Sequence, residues 1–141
     1  MKPAVTFVDD SSDLRALVTL LLKRGLGVEC LGLNSLKEVE LHSEDVLNSS
    51  MAILDVNLGS DTSDGIDVFD WLQRRNFGGA VFFLTGHARS HPRISQARNL
   101  NVQILEKPIP PDRLLALVGA AIAKGPRDKY VIATEKLTEN P

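Results

Sequence analysis

Two adjacent carboxylates, Asp9 and Asp10, follow directly on the apolar run AVTFV. A third, Asp55, stands near the end of the run MAILDV, a hydroxyl, Thr85, closes AVFFLT, and an ammonium, Lys107, comes just after VQIL and is followed by Pro108. Neighbouring carboxylates repel one another at neutral pH and favour a compensating charge. Hard oxygen ligands of this kind suit magnesium. A carboxylate can also act as a nucleophile and form an aspartyl phosphate. A metal, a lysine and a hydroxyl or backbone N–H are the groups that stabilise the charge spread over a transferring phosphoryl. The five side chains therefore fit a divalent cation and a phosphoryl group, provided that the fold brings them together. A simpler role exists for the first pair, since acidic residues cap helix N-termini and a helical pattern begins immediately after them; Ser11, Ser12 and Asp13 could serve that purpose alone.

The elements that must position these residues are legible as short apolar runs alternating with helix-period segments. Residues 4–8 read as a first strand, and LRALVTLLLKRG as a helix with apolar positions at 14, 17, 18, 21 and 22, ended by Gly25. VECLG (28–32) reads as a second strand, and SLKEVELH (35–42) as a weaker helix capped by Asn34 or Ser35. Residues 51–56 form a third strand, apolar on both faces as expected when helices cover the sheet. After the polar loop GSDTSD comes a helix over 65–75, with Ile66, Phe69 and Leu72 on one side; Phe69 is read as core and Trp71 as rim. Residues 80–85 are the fourth strand, Pro92 opens a short helix, 102–105 is the fifth strand, and 110–124 is the last helix, again opened by proline. Strands alternating with helices imply a doubly wound α/β fold with a parallel sheet. In such folds ligands sit beyond the carboxyl ends of the strands, and that edge is where Asp9, Asp10, Asp55, Thr85 and Lys107 fall.

The bulk properties bound the rest. A chain of 141 residues, 43% hydrophobic and 24% charged, suits one compact domain. A net charge of −2, with no clustering of basic residues, argues against nucleic acid as a partner. No apolar run approaches the roughly 20 residues of a membrane span, and no secretory leader is legible, so a soluble cytoplasmic location is expected. The single Cys30 excludes an internal disulfide and a cysteine-based zinc site; in its apolar run it reads as a buried structural thiol.

Asp9–Asp10, Asp55, Thr85 and Lys107–Pro108 together resemble the receiver domain of two-component response regulators, the CheY-like superfamily, over roughly residues 3 to 124. The resemblance implies a (βα)5 flavodoxin-like fold with a five-stranded parallel sheet in the order 2-1-3-4-5. It implies that Asp55 accepts a phosphoryl group from a sensor histidine kinase or histidine phosphotransfer protein. Asp10, Asp55 and the backbone carbonyl of Asn57 would hold Mg2+, with Asp9 acting mainly through water. Lys107 would pair with the phosphoryl group, Thr85 would hydrogen-bond it, and the Lys107–Pro108 peptide would be cis, a state open to X-Pro bonds at modest cost. Such a chain is a signalling switch and not an enzyme beyond promoting its own phosphorylation and dephosphorylation. It would pass its signal to a downstream protein. The face of helix four, strand five and helix five is the usual dimer and output surface of the family, and the resemblance leaves open whether this chain forms a homodimer there.

Several positions depart from the family pattern. The Asp64–Gly65 pair comes later than usual after Asp55 and the customary Pro is absent, which reads as a tolerated insertion in GSDTSD or as altered kinase contact. Gly86 replaces the usual alanine after Thr85 and should leave the site open. Ile104 stands where family members usually carry Tyr or Phe, either as core filling or as a muted switch. His87 could place groups near the attacking water or be a plain exposed histidine. His42 and His91 have no partner visible in sequence. The domain is expected over 1–124. Residues 125–141 form a short tail, too short for an effector domain, so a stand-alone receiver is the expectation.

Readings from other classes fit less well. An FMN binder of the same fold type would want a Ser/Thr/Gly-rich loop after the first strand, where two aspartates would repel the FMN phosphate. A haloacid-dehalogenase-type phosphatase would want Asp-x-Asp, but the triplet here is Asp55–Val56–Asn57. The serious alternative is a pseudo-receiver, a protein-interaction module that works without phosphorylation. It would usually have lost one of the five site residues, and all five are present.

Overall fold

The computed structural model describes residues 3–56, 58, 64–86 and 102–124. Asn57, His87, His91, the helix expected from Pro92 and the tail from 125 lie outside the described residues. The strands are β1 (Val5–Val8), β2 (Cys30–Leu33), β3 (Met51–Asp55), β4 (Ala80–Thr85) and β5 (Gln103–Glu106). All pair in parallel, in the order β2-β1-β3-β4-β5. This is the expected doubly wound, flavodoxin-like sheet. The helices are α1 (Ser12–Leu26), α2 (Leu36–Leu41), α3 (Ser43–Leu47), α4 (Gly65–Arg74) and α5 (Pro111–Lys124).

Side chains alternate across each strand, so β1 and β3 feed two cores. Val5, Phe7, Met51 and Ile53 pack with Val18 and Leu22 of α1 and Leu114 and Val118 of α5. Val8, Ala52 and Leu54 pack with Val39, Val46, Ile66 and Leu72 from α2, α3 and α4. Burial of each large aliphatic side chain contributes about 1.5–3 kcal/mol, so both faces of β3 hold it in place, and all five of its residues are buried.

Helix ends follow from local chemistry, with corrections to the sequence reading. The Ser11 hydroxyl accepts from the Leu14 N–H at 3.1 Å and caps α1. That helix runs through Gly25 and stops at Leu26, because Gly27 takes the left-handed conformation (φ 68°) and its N–H reaches back to the Lys23 carbonyl. Gly25 serves packing instead: a Cβ there would lie 2.8 Å from Leu115 of α5. Ser35 caps α2, and the helix expected over 35–42 breaks at His42 and restarts as α3. The restart has five residues, and only Val46 of them is buried, too little for a periodic signal. Asp64 and Asp67 form a capping box on α4. Trp71 is buried, not at the rim, and Arg75 covers its ring at 4.3 Å. Cys30 is buried as expected; desolvation pushes its thiol up to about 11, against a smaller opposing hydrogen bond from Thr19. Ile104 is partly buried, opposite Phe83 in the β4–β5 register, and packs on the core beneath α2–α4.

Candidate functional site at the carboxyl edge of the sheet

Strand register brings the strand ends level. Val8 pairs with Leu33 and Leu54, Asp55 with Leu84, and Thr85 with Glu106. Asp9 thus emerges from the middle of the sheet beside Asp55, and Lys107 emerges one residue beyond β5. An oxygen from each of Asp9, Asp10 and Asp55 lies within 4.8 Å of the others. Asp9 and Asp55 are buried and Asp10 is exposed. Lys107 Nζ lies 2.7 Å from Asp9 Oδ2 and 3.1 Å from Asp55 Oδ2. Burial by itself would lower the Lys107 pKa, but the Asp9 and Asp55 carboxylates together outweigh it and raise the pKa above its ordinary value. The ammonium is therefore fully charged at neutral pH.

Three carboxylates and one ammonium leave the cluster net negative. Asp9 Oδ1 accepts from the Ser11 N–H at 2.9 Å. Its Oδ2 is buried and, although Lys107 stands close, makes no well-aligned hydrogen bond among the described residues. The Asp10 carboxylate makes no hydrogen bond or ion pair among the described residues. Buried oxygen with spare acceptor capacity, next to an exposed carboxylate, is the donor set of a hard-cation site. Thr85 is fully buried, and its carbonyl accepts from the Lys107 N–H at 2.8 Å. The Lys107–Pro108 peptide is cis, as expected. Next to Thr85, a Cβ on Gly86 would find its nearest neighbour, Lys107 Cδ, 3.9 Å away. Among the described residues, this approach to the cluster is open.

Of the expected site residues, Asp9, Asp10, Asp55 and Lys107 converge, and Thr85 stands on the same edge beside Lys107. Asn57 lies outside the described residues. Two further residues, Gly65 and Arg15, touch the backbone of the site. A Cβ on Gly65 would stand 2.2 Å from the Asp55 carbonyl oxygen, and its N–H donates to the Val56 carbonyl at 3.0 Å. The Asp64–Gly65 pair thus presses the start of α4 onto the backbone of the acceptor candidate. Arg15 donates from Nη1 to the Asp9 carbonyl at 2.7 Å. The glycine was visible as part of a displaced motif, whereas the arginine had no signal beyond its place in a helix.

Comparison with known proteins agrees with this geometry. The model of the response regulator receiver domain matches residues 5–119. No curated protein matches the chain significantly. Among solved structures, the receiver domain of NtrX from Brucella abortus superposes with a TM-score of 0.72 at 24% identity, covering 86% of this chain and 99% of that one. A CheY-like receiver domain protein from Methanospirillum hungatei gives 0.72 at 18% identity over 89% and 95% of the two chains. The beryllofluoride-activated NtrC4 receiver domain dimer gives 0.69 at 21% identity over 85% and 96%. With its matching sheet order, acidic cluster and bridging lysine, the chain belongs to the response regulator receiver domain family.

Proposed function

We propose that this receiver is a phosphorylation-dependent switch of a two-component or phosphorelay system, with Asp55 as phosphoacceptor. The observation that carries the reading is the Lys107 ammonium set between the buried Asp9 and Asp55 carboxylates, beside the exposed Asp10. An Asp55 carboxylate oxygen attacks phosphorus, the bond from phosphorus to the donor's imidazole nitrogen breaks, and the electron pair leaves with the imidazole. Lys107 stays within reach of the transferred oxygens and offsets their charge. The Thr85 hydroxyl donates to the phosphoryl group once it is attached. Asp9, Asp10 and Asp55, with the backbone carbonyl of Asn57, would hold Mg2+, and the fit rests on the spare acceptor capacity of Asp9 Oδ2 and on Asp10, whose carboxylate has no partner among the described residues. Bound there, the cation supplies charge neutralisation for the clustered carboxylates and the incoming phosphoryl oxygens.

The donor in this reading is a sensor histidine kinase or a histidine phosphotransfer protein, and the output is contact with a downstream protein. The chain acts on no substrate but itself. No helix of the described residues is long and apolar enough to cross a membrane, which supports the cytoplasmic setting where such donors present their phosphohistidine. The dimeric state of the activated NtrC4 receiver supports a homodimer as one output form.

Incubation with acetyl phosphate, with and without Mg2+, tests the reading by intact mass. A magnesium-dependent gain of one phosphoryl group is expected, and Asp55→Asn should abolish it while keeping the fold. Absence of that gain, together with absence of magnesium and beryllofluoride binding, would favour the phosphorylation-independent interaction module.

A further inference from the structure

Asp10 is the one exposed member of the carboxylate cluster, and its side chain has no partner among the described residues to hold it there. Its position depends on the backbone that carries it. The peptide joining Asp9 to Asp10 leaves β1 at the point where strand pairing ends, and its orientation decides where the Asp10 carboxylate points. The Asp9 N–H is held by the Leu33 carbonyl at 3.0 Å, and the carbonyl of the following peptide is held by Arg15 Nη1 at 2.7 Å. The second contact is short and charge-assisted. The Arg15 stem lies across Gly32 of β2, where a Cβ would stand only 3.4 Å from Arg15 Cβ and Cδ. The bare backbone of Gly32 thus gives the stem a flat bed, and the guanidinium arrives at the Asp9 carbonyl from a partly buried position.

We propose that Arg15 is a positioning residue for the cation site: it holds the Asp9–Asp10 peptide so that the Asp10 carboxylate faces Asp9 and Asp55. The inference rests on the magnesium reading above. A positive charge close to a cation site disfavours the cation by simple Coulomb repulsion. Positioning and repulsion therefore predict opposite signs for removal of the guanidinium.

The test is a magnesium titration of the full chain by calorimetry, well below the melting temperature, in wild type, Arg15→Met and Arg15→Lys. Arg15→Met keeps much of the stem and removes the charge and the hydrogen bond. It should weaken magnesium binding about tenfold, the scale of one lost hydrogen bond to a charged group. Arg15→Lys, which keeps the charge but not the planar fork, should fall between the two. Unchanged or tighter magnesium binding in folded Arg15→Met would overturn the proposal, even if its melting temperature drops. If Arg15→Met does not fold, Arg15→Lys decides in the same way, with unchanged affinity as the refuting result. If the wild type itself binds no magnesium, the metal reading fails first. The 15N–1H resonance of Asp10 in metal-free protein then decides: it should move in Arg15→Met, and an unmoved resonance refutes the positioning role.

Discussion

At the amino ends of the strands, the buried polar groups are neutral and satisfy one another. Thr6 and Ser49 share a hydroxyl–hydroxyl hydrogen bond of 3.0 Å, the Ser49 hydroxyl donates to the Val46 carbonyl at 2.7 Å, and the Ala4 carbonyl accepts from the Ser50 N–H at 2.8 Å. At the carboxyl ends, two carboxylates, Asp9 and Asp55, are buried beside Thr85, and Asp9 is incompletely satisfied among the described residues. Among the described residues, Asp9 Oδ2 lacks an aligned donor, the Asp10 carboxylate makes no hydrogen bond or ion pair, and one ammonium serves two carboxylates. A closed set of hydrogen bonds stabilises the fold and leaves nothing for a ligand. An open set of charges costs stability and keeps capacity for a cation and an anion. Substitutions at the amino end should therefore show in stability and not in ligand binding, whereas those at the carboxyl end should change ligand binding, with any stability cost open to offset by the cation.

The largest effect belongs to the amino end and to pH. Burial raises the Cys30 thiol from 9.0 to about 11. Below about pH 9 folded and unfolded chains both keep this proton, and the contribution is present in full. Between pH 9 and 11 the unfolded chain ionises first, so stability is lost as pH rises through the folded value. The loss attributable to Cys30 is about 2–3 kcal/mol at 1.36 kcal/mol per pKa unit. Urea melts at pH 8 and 11 should show it as a steeper decline in wild type than in Cys30→Ala, and equal declines would refute it.

Next comes Lys107→Ala at the carboxyl edge. Without its ammonium, Asp9 and Asp55 face each other uncompensated, at a cost of about 1–3 kcal/mol in chelator. Millimolar Mg2+ should shrink that deficit, because the cation takes over the neutralisation, whereas a deficit indifferent to magnesium would show that the cluster holds no cation. Ser49→Ala should cost about 1 kcal/mol by removing the partner of a buried Thr6, with magnesium affinity unchanged in the same titration. The smallest stability effect is that of Asp10→Asn. Its carboxylate is exposed and has no partner among the described residues, so stability should change by less than about 0.5 kcal/mol. Its magnesium affinity should nonetheless fall the most of all these variants. A stability loss in Asp10→Asn matching that of Ser49→Ala would break the contrast between the two ends.

The alternation of apolar runs and helical periods is a local property of the chain, and it identified all five strands within two residues at either end. The chemistry at the edge was equally legible, because a charged or hydroxyl residue that ends an apolar run stands out against it. Asp9, Asp10, Asp55, Thr85 and Lys107 were recoverable on that basis. Local pattern put the end of α1 at Gly25, whereas that glycine serves packing against Leu115 and Gly27 supplies the left-handed cap; the two look alike in sequence. The break at His42 and the burial of Trp71 were likewise decided by the packing of α2, α3 and α4 on the sheet.

What the sequence by itself determined is which groups stand at the strand ends, since the period of two and the turn after each strand depend on near neighbours alone. What only the tertiary structure decided is the state of each group: Asp9 buried and Asp10 exposed, Lys107 paired with an aspartate 52 residues away, Gly65 pressed onto the Asp55 carbonyl, Arg15 turned toward the Asp9 carbonyl. Burial and pairing are set by distant segments brought together through the parallel register, and no window of neighbouring residues contains that information.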